Sequence, residues 1–218
     1  MSAQSARADT AAADDAAATA DAAALVTRAA PGGGPKLSAS QQLAAAGLEL
    51  LGPCQHLSQW PGIMAHSALL HDFTPAEADI LGLAMLRLKA QPGQVLIAEN
   101  EASDWMMLLL SGTVDIGKRK IGAGLDALES GEISRLAVVK SGAVIGEMSM
   151  LDGEPRYASC WALCEVEAAV LTRAGIAGLI TQHPGVGAKL LVKLTQLLAQ
   201  RLRNTSNQLL RQLHKSTL

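Results

Sequence analysis

Short apolar runs separated by glycine turns constrain this chain more than any other feature. QVLIA (94–98), WMMLLLSGTVDI (105–116), RLAVVK (135–140) and YASCWAL (157–163) are rich in the residue types that favour strands. Gly112, Gly122, Gly124, Gly131, Gly142 and Gly153 fall among them, so reversals recur at the spacing of an antiparallel sandwich or barrel. Segment 117–134 is polar and glycine-rich and reads as a long loop between two strands.

Helices flank this region. SASQQLAAAGLELLG (38–52) is helical by propensity. Thr74-Pro75-Ala76-Glu77 combines an N-cap threonine, a proline at the first helical position and a glutamate three after the cap. The helix it starts is predicted to run through ADILGLAMLRL to the turn at Gln91-Pro92-Gly93. After VEAAVL, Thr172 caps a short helix ending at His183-Pro184, and a long helix occupies 185–214. There Leu191, Leu194, Leu198, Leu202, Leu209 and Leu213 recur in steps of three and four, with Thr205 as a polar break. Such a stripe is buried either on its own domain or on a second copy.

Composition removes several functional classes. Net charge is −2 and five residues are aromatic, which argues against a basic nucleic-acid surface or a base-stacking platform. No apolar run approaches the ~20 residues needed to span a bilayer. The first thirty residues are half alanine, interrupted by Asp9, Asp14, Asp15 and Asp21 and followed by PGGGP, so residues 1–40 read as a disordered tail rather than a secretory signal. The histidines His56, His66, His71, His183 and His214 are scattered, with no metal-ligand spacing. Cys54, Cys160 and Cys164 are few and odd in number, as in a reduced cytoplasmic protein. On one strand face the latter two stand ~13 Å apart, too far for a disulfide, and they are expected in the core. GAGLDALESG (122–131) lacks the lysine of a phosphate-binding P-loop. None of this points to an enzyme.

One stretch is different: GEMSMLDGEPRYAS (146–159). Its glycines permit tight turns and close backbone approach to a ligand. Arg156, fixed behind Pro155, offers a planar fork suited to two phosphate oxygens, and Glu147 can accept hydrogen bonds from a sugar hydroxyl. On spacing alone, the two serve equally well as a surface ion pair at a turn.

The stretch resembles the phosphate-binding cassette of the cyclic-nucleotide-binding domain: Gly146, Glu147, Ser149, Pro155, Arg156, Ala158 and Ser159 match in order and spacing. PGQVLIAENEASDWMMLLLSGTVDI (92–116) resembles the family's early strands, and the likeness extends over roughly 68–214. The resemblance implies that Glu147 binds the ribose 2′-hydroxyl and Arg156 the cyclic phosphate. Backbone near Glu147, Met148 and Ser149 and near Ala158 and Ser159, with the Ser159 hydroxyl, would assist. Tyr157 stands where a small residue or threonine often helps to discriminate adenine from guanine ligands. AQRLRNTSNQ (199–208) resembles the matching helix of the catabolite activator family, where a Thr-Ser pair touches the base, the serine from the partner subunit; here the pair is Thr205-Ser206. Those relatives carry a DNA-reading module after this helix, whereas four residues follow His214 here, so no DNA partner is expected.

The expectation is therefore a mainly β chain: an antiparallel jelly-roll with flanking helices. A helical lead-in covers 41–67, and a cyclic-nucleotide-binding domain covers 68–218 with dimerisation helix 185–214. Its expected role is a cytoplasmic sensor of cyclic AMP or cyclic GMP that forms a homodimer and signals to a protein effector, without metal, cofactor, DNA or membrane. A constitutive dimeric scaffold with an idle pocket and a cyclic di-GMP receptor are the alternatives.

Overall fold

The computed structural model describes residues 38–119 and 133–216. The alanine-rich tail and the centre of the expected 117–134 loop lie outside the described residues. Strands β1 (Glu49–Pro53), β2 (Leu86–Ala90), β9 (Val166–Thr172), β4 (Trp105–Ser111) and β7 (Val144–Ile145) form one sheet in that order. Strands β3 (Val95–Ile97), β8 (Ser159–Ala162), β5 (Thr113–Arg119) and β6 (Ile133–Lys140) form the other. Every pairing is antiparallel, and the jelly-roll with flanking helices is the architecture expected from the glycine-punctuated runs.

The unbroken apolar run of β4 has a physical reason. Side chains alternate across a strand, and here both faces are covered. Trp105, Met107 and Leu109 enter the core between the sheets with Leu96, Ile97, Val114 and Ile145. Met106, Leu108 and Leu110 enter a second core, roofed by helices α3 (Pro75–Leu83), α5 (Arg173–Gln182) and the start of α6 (Pro184–Ser216). A central strand buried on both faces loses the period-two signal.

Two expected helices are shorter than their propensities suggested. Helix α1 (Ala39–Ala45) carries the capping box of Ser38 and Gln41, but it ends before Gly47, whose φ is +75°, and Glu49–Pro53 is strand. The lead-in over 41–67 is accordingly a helix, a strand, a 3-10 turn (Leu57–Gln59) and the short helix α2 (Ile63–His66). Helix α3 starts at the expected Thr74 cap but stops at Leu83, and LRLKA becomes β2, paired with β1 on one side and β9 on the other. Cys160 is buried in β8 as expected, whereas Cys164 is exposed, because β8 ends at Ala162. The ends of the 117–134 segment, up to Arg119 and from Ile133, are strand.

Helix α6 is 33 residues long, and its two halves differ. Val186, Leu190 and Leu194 are buried in the helix-roofed core. Lys189 Nζ lies 2.6 and 2.7 Å from the Glu77 carboxylate oxygens, and Lys193 pairs with Asp72, so two cations fasten this half to the start of α3. From Gln200 through His214 every residue is exposed, including Leu202, Leu209, Leu210 and Leu213. No helix among the described residues is long and apolar enough to cross a membrane.

The two-lysine latch has a pH signature. Hydrogen bonding from Lys193, then from His71, holds the Asp72 carboxyl below its usual range; Lys189, then the Thr74 N–H, do the same for Glu77. A depressed folded-state pKa contributes stability above the unfolded value, lost as pH falls through the folded one. Chemical denaturation is expected to show the parent losing stability steadily below about pH 4.5. Lys189→Met/Lys193→Met should show a shallower acid decline, and an unchanged slope would refute the latch.

Candidate functional site

The cassette is built by two left-handed glycines. Gly146 (φ +76°) is the N-cap of α4 (Glu147–Asp152), and Gly153 (φ +80°) ends it. Arg173 at the head of α5 secures the end of this helix: its Nε donates to the Met150 carbonyl at 2.8 Å. Past α4, the backbone of Arg156 is clamped to the loop after β3: its N–H donates to the Glu101 carbonyl at 2.9 Å, and its carbonyl accepts from Asn100 N–H at 2.8 Å. The cassette therefore hangs between the two sheets, beside the first residue of β4.

Gly146, Glu147, Met148, Ser149, Arg156, Tyr157 and Ala158 all line one cavity of ≈120 Å³, walled by Ile97, Ile116, Leu136 and Ile145. Its polar groups are unusual in their burial. Arg156 is 2% exposed, and its Nη1 and Nη2 donate to the carbonyls of Gly146 and Trp105, each at 2.6 Å. The guanidinium carbon lies over the Trp105 ring, 4.1 Å from the centroid. Its Nε has no partner. No carboxylate among the described residues pairs with it directly; burial pushes it down to about 10, still cationic at neutral pH. A buried cation that lines a cavity and pairs directly with no carboxylate is suited to receive an anion.

Glu147 is 1% exposed and does have a partner. Arg201 reaches in from α6: Nη1 binds the Glu147 carboxylate, and Nη2 donates to the Val144 carbonyl. Arg201 lines the same cavity, and sequence reading did not single it out. The available signal was its position four before Thr205, which places both on one side of a helix.

The expected Ser159, Thr205 and Ser206 lie elsewhere. Ser159 Oγ accepts from Glu99 N–H at 3.0 Å, outside the cavity lining. Thr205 and Ser206 lie one turn beyond Arg201 on the exposed half of α6 and do not line the cavity within one chain. Tyr157 stands at the mouth with Lys118 Nζ 3.7 Å above its ring. Cys160 shares the wall, and burial pushes its thiol up to about 12, so at neutral pH it is a neutral wall group rather than a nucleophile. No group of three or more His, Cys, Asp or Glu able to hold a metal occurs among the described residues.

Residues 87–183 match the cyclic nucleotide-binding domain family. A crystal structure of a cyclic nucleotide-binding domain from Methylobacillus flagellatus aligns with a TM-score of 0.66 and 32% identity, over 79% of this chain and 92% of that one. The chain belongs to the cyclic nucleotide-binding domain family. Among the family's curated proteins it is 27% identical over 147 residues to a CRP-like cAMP-activated global transcriptional regulator of Mycobacterium tuberculosis, covering 67% of this chain and 60% of that protein. It is 31% identical over 147 residues to a cyclic AMP receptor protein of Thermus thermophilus, covering 67% of this chain and 62% of that protein. The chain thus spans under two thirds of the length of these relatives. Family membership accounts for the jelly-roll with its flanking helices and long C-terminal helix.

Proposed function

We propose that this chain is a sensor module that binds a cyclic mononucleotide and passes the binding event through α6. The observation that carries this reading is Arg156: a buried guanidinium over the Trp105 ring, in a residue that lines the cavity, with an Nε–H that has no partner. The phosphate of the ligand would take that Nε–H and the neighbouring Nη2 edge. Glu147 would accept from the ribose 2′-hydroxyl, and the apolar wall of Ile116 and Leu136 would face the base. The names of the relatives, cAMP-activated and cyclic AMP receptor, put cyclic AMP ahead of cyclic GMP.

Arg201 ties this pocket to the helix. Arg201 already holds the Glu147 carboxylate that a ribose hydroxyl would take. Admitting a nucleotide requires Arg201 to yield part of its hold on Glu147, and a ligand that favours one placement of α6 shifts the population toward it. The exposed stripe of Leu202, Leu209, Leu210 and Leu213 is the surface through which α6 would pair with a second copy, bringing Thr205 and Ser206 against the partner's base; a protein effector would read the paired helices. The module is a regulator rather than an enzyme, at work in the cytoplasm without DNA or membrane contacts. The filled Glu147 site also favours a second reading, a dimeric scaffold whose own arginine occupies the pocket.

Thermal melting with cyclic AMP, cyclic GMP and cyclic di-GMP separates these readings, since a ligand that binds only the folded state raises its melting temperature with concentration. Concentration-dependent stabilisation by one of the mononucleotides is expected, cyclic AMP foremost. No shift with any of the three, confirmed by calorimetry, would leave the scaffold; a shift with cyclic di-GMP alone would overturn the mononucleotide assignment.

A further inference from the structure

The aromatic plate beneath Arg156 has a second attachment. Trp105 Nε1 donates to Gln42 Oε1 of α1 at 2.9 Å, across 63 residues of sequence. The Trp105 side chain is buried between the two sheets, and Leu43, the buried residue of α1, packs in the same cluster. One face of the indole therefore carries the Arg156 charge, while its N–H holds the helix that opens the described chain. Behind α1 the chain turns at Gly47, φ +75°, where Gly47 N–H donates back to the Ala44 carbonyl and Leu48 N–H to that of Leu43, while the Gly47 carbonyl accepts from Gln94.

We propose that Trp105 is the positioning residue of the anion site and that through it α1 is coupled to the site's occupancy, so that nucleotide binding loosens the N-terminal helix. The coupling has a direct physical origin. No carboxylate among the described residues pairs directly with the guanidinium, Glu101, Glu147 and Asp104 acting on it only through space, and its attraction to the ring is that of a desolvated cation over an indole. A bound phosphate compensates the charge and draws the guanidinium edge toward the cavity. Both effects weaken the grip on the ring whose orientation sets the hydrogen bond to Gln42. By reciprocity, releasing α1 must then favour the occupied state. The N-terminal end of the domain thereby becomes a second output, separate from α6. This inference rests on the reading of Arg156 as the phosphate site.

The test is hydrogen exchange on the full chain, comparing peptides from 38–48 with peptides from 173–182 as an internal reference. Saturating cyclic AMP is expected to speed exchange in 38–48 by about tenfold, the scale of a desolvated cation–π contact, and to leave 173–182 unchanged. Arg156→Met, without ligand, should speed 38–48 likewise. Gln42→Leu should exchange fast from the outset, lose the ligand response and bind cyclic AMP several-fold more tightly, a change in affinity that a merely structural contact would not produce. Trp105→Phe keeps a ring under Arg156 but removes the N–H; it should bind cyclic AMP yet show the same loss of response. Unchanged exchange in 38–48 when cyclic AMP is bound, or unchanged affinity in Gln42→Leu, would overturn the coupling. If the parent binds no cyclic nucleotide, the functional reading falls, and the ligand-free comparison of Arg156→Met with the parent decides the coupling alone. Should Arg156→Met not fold, Gln42→Leu decides it.

Discussion

Arg156→Ala is expected to reduce cyclic-nucleotide affinity by about a hundredfold or more, while the chain still folds. The size follows from charge-assisted hydrogen bonds of ~1.5–3 kcal/mol each, at least two of which a phosphate would make with the fork. The fold survives because the substitution also removes a desolvated charge that no carboxylate pairs with directly, Glu101, Glu147 and Asp104 acting on it only through space. Two carbonyls, of Gly146 and Trp105, lose their donor, and water entering the enlarged cavity can replace it. Arg156→Lys is expected to bind nearly as poorly. An ammonium cannot sit over Trp105, bridge two carbonyls and still present an edge to a phosphate. Calorimetric titration with cyclic AMP, beside a circular dichroism melt, gives both numbers. A folded Arg156→Ala variant that binds as the parent does would remove the basis of the assignment.

Gly146→Ala is expected to damage both stability and binding. Alanine in the left-handed region costs ~1–2 kcal/mol. Its Cβ would stand 2.5 Å from Arg156 Nη1 and 2.9 Å from Ile97 Cδ1, so the guanidinium must leave its position over Trp105. The melting temperature should fall by roughly 5–8 °C, the equivalent of about 2 kcal/mol or slightly more for a domain of this size, and cyclic AMP binding should weaken in parallel. Gly178→Ala is the matched control. It lies in the interior of α5, where an added Cβ meets nothing within 4 Å, so the variant should melt at or above the parent temperature.

What the sequence revealed and what it concealed follow from how locally each feature is determined. The cassette was legible because its glycines, its proline and both charged groups lie within fourteen consecutive residues, and a tight turn of that kind is specified by its own chemistry. The Thr74 and Thr172 caps were legible for the same reason. β2 was not: leucine, lysine and alanine favour helix, and LRLKA is strand because β1 and β9 pair with it from either side. Its alternation of apolar and basic residues was the overlooked sign. Within the site, Arg201 meets Glu147 across 54 residues, and Arg156 meets Trp105 across 51. No local pattern encodes such encounters; the closure of the two sheets and the return of α6 over the cavity create them.

The latch between α6 and the start of α3 makes the long helix mechanically unequal along its length. Lys189 and Lys193 tie down the first turns, and partial burial ends at Ala199, so a bend of this helix is expected just beyond the tied half. The stretch from Leu198 to Ser216 is ~28 Å long at 1.5 Å per residue. A tilt of about 10° would swing its tip by ~5 Å. Arg201 sits near the fulcrum, so a displacement of an ångström at the cavity is geared into one several times larger where the exposed leucines stand.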